Sequence, residues 1–306
     1  MAWTKDDIQQ QSGKNVIITG VYKGVGFDTA IAFAEKEATV ILAVSDLHKG
    51  SSVKERILTK IPNAKVEVMY LDLNELPSIH EFAKTFKNRF TNLSVLILNE
   101  TIQSPILRTT KDGFESQFGV NYLGHFALTG LLLDLLKKTP NSRVITLGNK
   151  FSNKTKLSFG HFQGSKQYKG DKFYTQSKLA NMLFAKHLDE KFKKHNIQTL
   201  SICCQEFTEN NNEESKKKSI NVRRVPKILA RKKPEDDHNV GKNVGSLPIL
   251  FAATNSTLSG GEMIGLSRNK KHSPTELQTL NQLYDENVAH NLWEISEKLC
   301  GVSYTF

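Results

Sequence analysis

Residues 14–26 read KNVIITGVYKGVG and combine the two features that decide the fold. Residues 14–20 form a short, β-branched apolar run that ends at Gly20, which is typical of a buried parallel strand. Gly24 and Gly26 follow where a helical pattern begins. Glycine lets the backbone turn tightly and approach a pyrophosphate, whose charge is favoured at a helix N-terminus. The stretch therefore predicts a strand, a phosphate-binding loop and a helix in succession.

The spacing of these glycines is G-x3-G-x-G and not the G-x-G-x-x-G of the dinucleotide-binding fingerprint. A plain strand-to-helix turn therefore stays open as an alternative. The rest of the chain supplies the context, because strand and helix patterns alternate over its first two-thirds. Further strands are predicted at 39–44, 65–71, 93–98, 143–147 and 197–204, and helices at 25–37, 51–58, 79–86, 112–137 and 173–195.

This βαβα order predicts an α/β fold, with a doubly wound parallel sheet covered by helices on both faces. The ligand is then expected at the carboxyl ends of the strands, in a Rossmann-type, three-layer αβα arrangement. A helix at about 240–253, a short strand near Met263 and a final helix at about 274–299 complete a single domain over 1–306. Residues 205–240 break the rhythm, and their NNN and EESKKK stretches predict a mobile insertion.

The charge of the chain is concentrated near this insertion. The net charge is +11, from 42 basic and 31 acidic residues, and nine basic residues lie within 216–233. No aromatic residue is interleaved among them for base stacking, so we do not expect a nucleic-acid partner. A solvated loop and a contact with an anionic membrane or another acidic surface both remain open for 216–233.

The remaining composition narrows the class of protein. Three cysteines, at 203, 204 and 300, cannot form a disulfide framework, and their spacing matches no zinc site. The histidines are scattered, so we expect no metal. The N-terminus is polar, and no run of about 18 apolar residues occurs. A cytoplasmic protein, at most peripheral on a membrane, is therefore expected.

The end of the second strand bears on nucleotide selection. An acidic residue there would bind the adenosine ribose and favour NAD. Val44 takes that position, followed by Ser45 and Asp46. Lys23 in the glycine loop could meet a 2′-phosphate as a point charge, and Ser45 could add a hydrogen bond. These residues favour NADP(H) over NAD(H), unless Lys23 is a solvated surface lysine.

Two tyrosines have a lysine four positions later, Tyr168 with Lys172 and Tyr174 with Lys178. Residues at i and i+4 share a helix face, where an ammonium favours the tyrosinate needed for proton transfer. Chance alone supplies roughly one such match, because the chain has seven tyrosines and 42 basic residues among 306. The KGD at 169–171 is turn-like, so only the pair Tyr174 and Lys178 is expected on one helix.

Taken together, several motifs resemble the short-chain dehydrogenase/reductase family, and most closely its retinol-dehydrogenase-like branch. They are TGVYKGVG at 19–26, LDL at 71–73, Asn99, VNYLGHFALT at 120–129 and YTQSKLANMLF at 174–184. The resemblance continues to LWEISEKLCGVSY near the C-terminus. It implies hydride transfer between a nicotinamide and a small-molecule alcohol or carbonyl substrate. It also implies a homodimer formed through the helices at 112–137 and 173–195.

The resemblance assigns roles to individual residues. Tyr174 would be the acid and base, Lys178 would hold the nicotinamide ribose, and Asn121 would support a water in the proton relay. Asn149 takes the place of the family's substrate-orienting serine. The cofactor contacts implied are Gly20, Lys23, Gly24, Val25, Gly26, Ser45, Asp72, Leu73, Asn99, Tyr174 and Lys178.

Three departures from the family pattern leave two functions open. Gly148-Asn149 replaces Ser-Ser, Glu100-Thr101 replaces Ala-Gly, and Cys204-Gln205 replaces Pro-Gly. The Asn149 amide can donate a hydrogen bond but cannot relay a proton, and Ser152 is an alternative hydroxyl. Losing one such hydrogen bond costs on the order of 10²–10³ in rate. We expect a weakened NADP(H)-dependent oxidoreductase or, alternatively, an inactive cofactor-binding pseudoenzyme with a regulatory or scaffolding role.

Overall fold

The computed structural model describes residues 3–149, 151–152, 155–159, 168–195, 197–205, 244–267 and 273–306. The described residues form one sheet in the order β3-β2-β1-β4-β5-β6-β7-β8. The first seven strands are parallel and the last is antiparallel. The strands are β1 (Asn15–Thr19), β2 (Thr39–Val44), β3 (Lys65–Tyr70), β4 (Val95–Leu98), β5 (Arg143–Gly148), β6 (Leu200–Gln205), β7 (Met263–Leu266) and β8 (Pro274–Glu276). The predicted doubly wound parallel sheet is confirmed.

Helices cover both faces of this sheet. They are α1 (Gly24–Glu35), α2 (Leu47–Lys60), α3 (Leu76–Arg89), α4 (Ser116–Phe118), α5 (Gly124–Leu131), α6 (Leu133–Lys138), α7 (Gly170–Lys194), α8 (Leu247–Thr254), α9 (Thr279–Leu283) and α10 (Glu286–Cys300). Short 3-10 turns occur at Lys5–Asp7 and Val244–Ser246. None of these helices combines the length and apolar character needed to span a bilayer.

Two hydrophobic cores, one on each face, explain the unbroken apolar runs of the strands. In β1, Ile17 belongs to the core that includes residues of α3, α5, α7 and α10, while Val16 and Ile18 belong to the core that includes residues of α1, α2 and α8. Successive side chains of a strand point to opposite faces, so both must be apolar where both faces are covered. The order of the strands reverses between β1 and β4, which leaves a crevice at their carboxyl ends.

The helix predicted over 112–137 is divided into segments. It begins at Ser116 and widens into a π-helical segment at Gly119–Leu123 before α5 and α6 continue it. A side chain at Gly124 would meet the Leu73 carbonyl oxygen, because an ideal Cβ there lies 2.8 Å from it. π-helical segments are frequent at functional sites, and this one contains Asn121.

Two sequence predictions were wrong in detail. The final helix was expected from about 274, but residues 274–276 form β8, and α10 begins only at Glu286. Pairing with β8 covers the backbone groups that the edge of β7 would otherwise expose. Helix α7 begins at Gly170 and so includes the Gly-Asp that read as a turn. Strand β6 continues to Gln205, and the rest of the insertion predicted at about 205–240 lies outside the described residues.

Candidate active site

The glycine loop between β1 and α1 has the geometry of a phosphate cradle. Gly20 and Gly24 have φ angles of 68° and 62°, a region that favours glycine. An ideal Cβ at Gly26 would lie 2.2 Å from the carbonyl oxygen of Gly20. The first turn of α1 therefore lies against the loop only because Gly26 has no side chain. Backbone amides at this helix N-terminus suit a pyrophosphate.

Asn99, directly after β4, holds the glycine loop in place through hydrogen bonds. Its amide Nδ2 donates to the carbonyl oxygens of Thr19, at 3.0 Å, and Gly20, at 2.8 Å. The Thr19 hydroxyl accepts the backbone amides of Asn99, at 2.9 Å, and Glu100, at 2.8 Å. The ends of β1 and β4 are thereby joined at the crevice, which places the Asn99 side chain in a supporting role.

The hydrogen of the Thr19 hydroxyl is directed to His125. The distance from Thr19 Oγ1 to His125 Nε2 is 3.0 Å, and His125 Nδ1 lies 3.1 Å from the carbonyl oxygen of Asn121. A carbonyl oxygen can only accept, so Nδ1 carries the proton and Nε2 accepts from Thr19. Burial lowers the pKa of His125 to about 3, which keeps the ring neutral. Thr19 and His125 thus connect the cofactor loop to the π-helical segment.

Two cavities adjoin the hydrogen-bonded ends of β1 and β4. One, of about 310 Å³, runs along the glycine loop beside Lys23, Val25 and Thr101. The other, of about 220 Å³, lies at the ends of β2 and β3 and is lined by Ser45, Asp72 and Leu73, among others. Glu100 lines both cavities. Eight of the eleven predicted cofactor residues line one or the other of these two neighbouring cavities, whereas Gly24, Tyr174 and Lys178 are not among the lining residues.

The end of β2 lacks an acidic side chain free to face this crevice. The Val44 side chain is buried. The carboxylate of Asp46 accepts the Lys49 amide at 3.0 Å and caps α2, and this hydrogen bond holds the pKa of Asp46 below its usual range. Lys23 is the exposed N-cap residue of α1, and Ser45 is also exposed. The exposed charged side chain on the glycine loop itself is thus the basic one of Lys23.

Tyr174 and Lys178 lie one turn apart on α7, on the same face. Lys178 is fully buried, and its Nζ lies 5.5 Å from the centroid of the Tyr174 ring. The same ammonium donates to the hydroxyl of Thr101 at 2.6 Å. Thr101 was recognised only as a departure from the family glycine. No sequence pattern indicates that its hydroxyl reaches Lys178, since the two residues lie 77 positions apart.

Asn121 is held by its neighbours on both sides. Its side chain accepts the Ile102 amide at 2.8 Å and donates to the Ile102 carbonyl at 2.9 Å and to Ser177 Oγ at 3.1 Å. Ser177 in turn donates to the carbonyl of Tyr174 at 2.8 Å. The Asn121 carbonyl accepts from Asn181 at 3.0 Å. Asn121 therefore connects the π-helical segment with the turn of α7 that carries the tyrosine.

The departures at the ends of β5 and β6 also have a packing cause. An ideal Cβ on Gly148 would lie 2.7 Å from Cys203 Sγ, so the family serine does not fit there unless Cys203 moves. Asn149 is half-buried directly after β5, and Gly148 is paired with Gln205 in the sheet. Ser152 is exposed.

Tyr168 lies outside α7, as the sequence predicted, and has a structural role. Its hydroxyl donates to Glu115 at 2.8 Å and accepts from Gln117 at 2.6 Å, while its ring stacks on Phe173. The free cysteines are buried, and burial raises the pKa of Cys203 to about 11. Among the described residues, no cluster of three or more His, Cys, Asp or Glu could hold a metal.

Comparison with known proteins agrees with this geometry. The family model for short chain dehydrogenases matches residues 14–220, more than half of the chain. The chain belongs to the short-chain dehydrogenase family. Among its relatives, human retinol dehydrogenase 11 is 39% identical over 193 residues, which cover 63% of this chain and 61% of that protein. This chain therefore spans about three-fifths of the length of that relative.

Two further relatives match nearly the whole chain. Polyprenol dehydrogenase of Danio rerio is 30% identical over 303 residues, covering 97% of this chain and 89% of that one. The crystal structure of an uncharacterized protein from Mycobacterium paratuberculosis covers 100% of both chains, with a TM-score of 0.77 and 27% identity. The expected family and its retinol-dehydrogenase-like branch are confirmed.

Proposed function

We propose that the protein is an NADP(H)-dependent oxidoreductase that moves hydride between a nicotinamide and an alcohol or carbonyl group. The observation that carries the proposal is the pair on α7. The fully buried ammonium of Lys178 lies 5.5 Å from the Tyr174 ring centroid. Burying an ammonium is costly, so its place beside one tyrosine at the crevice is best explained by the chemistry of that tyrosine.

The residues of the chain supply proton transfer and orientation. Tyr174 donates a proton to the carbonyl oxygen in reduction and accepts one from the alcohol in oxidation. Lys178 favours the deprotonated tyrosine by its charge. Asn121 and Ser177 hold the turn of α7 that carries Tyr174. The bound nicotinamide would supply or accept the hydride, and the glycine loop with Asn99 below it would hold the nucleotide.

The preference for NADP(H) rests on charge at the end of β2. Val44 is buried and the Asp46 carboxylate caps α2, so the end of β2 offers no free acidic group of the kind that favours NAD. Lys23 is exposed at the N-cap of α1 and suits a 2′-phosphate. For the substrate we propose an apolar alcohol or its carbonyl product, because two relatives are named for retinol and polyprenol.

A nucleotide titration tests this proposal before any substrate is known. NADPH and NADH fluorescence would be titrated with wild type, Lys23→Ala and, as a control, Lys84→Ala, an exposed lysine on α3. We expect tighter binding of NADPH than NADH, and selective weakening of NADPH by Lys23→Ala alone. Equal binding of both nucleotides would overturn the NADP(H) preference, and no binding of either would overturn the oxidoreductase.

A second candidate is a cofactor-binding protein without turnover. Specific observations favour it: Asn149 stands where the family has a hydroxyl, and Thr101 holds the Lys178 ammonium. The activity of the variant Asn149→Ser distinguishes the two candidate functions. Activity that arises only in this variant would support lost function, whereas robust turnover by wild type would exclude it.

Location and assembly complete the proposal. We propose that the protein is cytoplasmic and forms a homodimer. Light scattering of the purified protein would test the homodimer. A contact of 216–233 with anionic membranes stays a prediction, because these residues lie outside those the structure describes. Flotation with anionic liposomes tests it, and protein left in the soluble fraction would reject it.

A further inference from the structure

Glu100 stands at the boundary between the two cavities of the cofactor crevice. It is the second residue after β4, at the point where the strand order reverses. It lines both the cavity beside the glycine loop and the cavity beside Asp72, and it is half-buried. A dinucleotide that occupies both cavities must therefore pass this carboxyl group.

The backbone of Glu100 also lies against the glycine loop itself. An ideal Cβ on Gly20 would be 2.8 Å from Glu100 Cα and 2.9 Å from Glu100 N, so the two backbones are in close contact. The backbone N–H of Gly20 is a hydrogen-bond donor that favours the charged carboxylate. Amides of such a loop are the groups that hold a phosphate. Glu100 therefore places a carboxyl group in the lining of a crevice whose loop amides suit a phosphate.

The surroundings make this carboxylate costly to keep charged. Burial and the nearby charge of Asp72 raise the pKa of Glu100, against the opposing effect of the Gly20 amide. Among the described residues that line the two cavities, the other titratable groups are Tyr22, Lys23 and Asp72. Behind this lining, Lys178 donates to Thr101 and lies beside Tyr174, and neutral His125 contacts Thr19. Phosphates bound beside Glu100 would raise its pKa further.

We propose that Glu100 sets the affinity of this site for its nucleotide: its carboxylate opposes the phosphates, so that binding takes up a proton and tightens as the pH falls. This inference rests on the proposed cofactor function. The sign follows from linkage, because a group whose pKa is higher in the complex binds a proton there. Between the two pKa values, Kd rises by up to about tenfold per pH unit.

The direction in which nucleotide affinity changes with pH distinguishes this role of Glu100 from the alternative one, in which the carboxylate binds the nucleotide. A carboxylate that accepted hydrogen bonds from ribose hydroxyls would strengthen binding in its charged form. Its removal would then weaken binding, and affinity would fall with falling pH. Glu100→Gln keeps the size of the side chain and removes only the charge, so it reports directly on this sign.

The experiment is calorimetric titration with NADP⁺ between about pH 6 and pH 8.5, in two buffers of different ionisation enthalpy. The proteins are wild type, Glu100→Gln and Glu81→Gln, which removes an exposed carboxylate on α3. A phosphate ester such as the 2′-phosphate itself titrates at about pH 6 and is common to all the complexes, so the difference in proton uptake between wild type and Glu100→Gln reports on Glu100.

We expect Glu100→Gln to bind about tenfold tighter at the alkaline end, with less proton uptake, and Glu81→Gln to match wild type. Weaker binding by Glu100→Gln, or equal Kd and equal proton uptake, would overturn the inference and leave the proposed function intact. Binding by Glu100→Gln alone would support it most strongly. No binding by any of the proteins at any pH would overturn the proposed cofactor function instead.

Discussion

Thr19→Val tests whether the hydroxyl of Thr19 holds together the ends of β1 and β4 at the cofactor crevice. Valine has nearly the same shape as threonine, so packing is preserved. The hydroxyl accepts the amides of Asn99, at 2.9 Å, and Glu100, at 2.8 Å, and it lies 3.0 Å from His125 Nε2. The substitution therefore leaves two donors and one acceptor without their partner and creates no cavity.

The size of the effect follows from these three groups. A buried polar group left without a partner costs about 1–3 kcal/mol. His125 is fully buried, whereas Asn99 and Glu100 are half-buried, so water can replace part of what their amides lose. We therefore expect a loss of roughly 3 kcal/mol in the free energy of unfolding. Nucleotide affinity should fall as well, because both amides border the glycine loop.

Urea denaturation measures the first effect, and the control is Thr29→Val. Thr29 is also fully buried, but its hydroxyl only donates to the Val25 carbonyl of its own helix at 2.7 Å. We expect that control to cost less than about 1 kcal/mol. A Thr19→Val variant as stable as the control, with unchanged nucleotide binding, would refute the role derived for this hydroxyl.

Three further predictions concern the site and its pH response. Asn149→Ser should raise steady-state turnover by up to about 10²-fold. Gly148→Ser should lower the melting temperature, because the Cβ of the new side chain would lie 2.7 Å from Cys203 Sγ. Unchanged turnover would contradict the first expectation, and an unchanged melting temperature would contradict the second. Gly26→Ala should abolish nucleotide binding in a fluorescence titration, since its Cβ would lie 2.2 Å from the Gly20 carbonyl oxygen; wild-type affinity would show that the cradle does not need close packing. The pKa of His125 is lowered to about 3, so folded protein binds its proton only in acid, while the unfolded chain binds one below pH ~6.5. The contribution of the neutral His125 to the free energy of unfolding is then fully present above that pH and falls on acidification by up to about 1.4 kcal/mol per pH unit. His125→Gln should therefore make the free energy of unfolding in urea depend less steeply on pH. An identical slope for both proteins would be inconsistent with a buried neutral ring.

Apolar runs were sufficient to predict most of the sheet. The run at 39–44 coincides with β2, and KNVIITG at 14–20 contains β1, because strands covered on both faces need side chains that are apolar throughout. The edge of the sheet was beyond such a pattern. Residues 274–276 form β8 by pairing with β7, a tertiary contact that no local periodicity encodes.

The same limit applies to the site. Motif spacing was sufficient to place Tyr174 and Lys178 on one helix, because both residues lie within α7. The bond from Lys178 to Thr101 depends on how β4 and α7 approach each other, and no spacing in the sequence states it. The position of Glu100 between two cavities likewise follows from the order of the strands in the sheet.

The central claim is that Tyr174 and Lys178 serve hydride transfer in this crevice, and isotope transfer tests it most directly. Wild type and Tyr174→Phe would be incubated with NADPH that carries deuterium at both nicotinamide C4 positions and a series of apolar aldehydes and ketones, including retinal. The account predicts an alcohol product that carries deuterium with wild type, and a loss of at least about 10²-fold in its formation with Tyr174→Phe. Bound NADPH with no deuterium in any product, or equal transfer by both proteins, would contradict it.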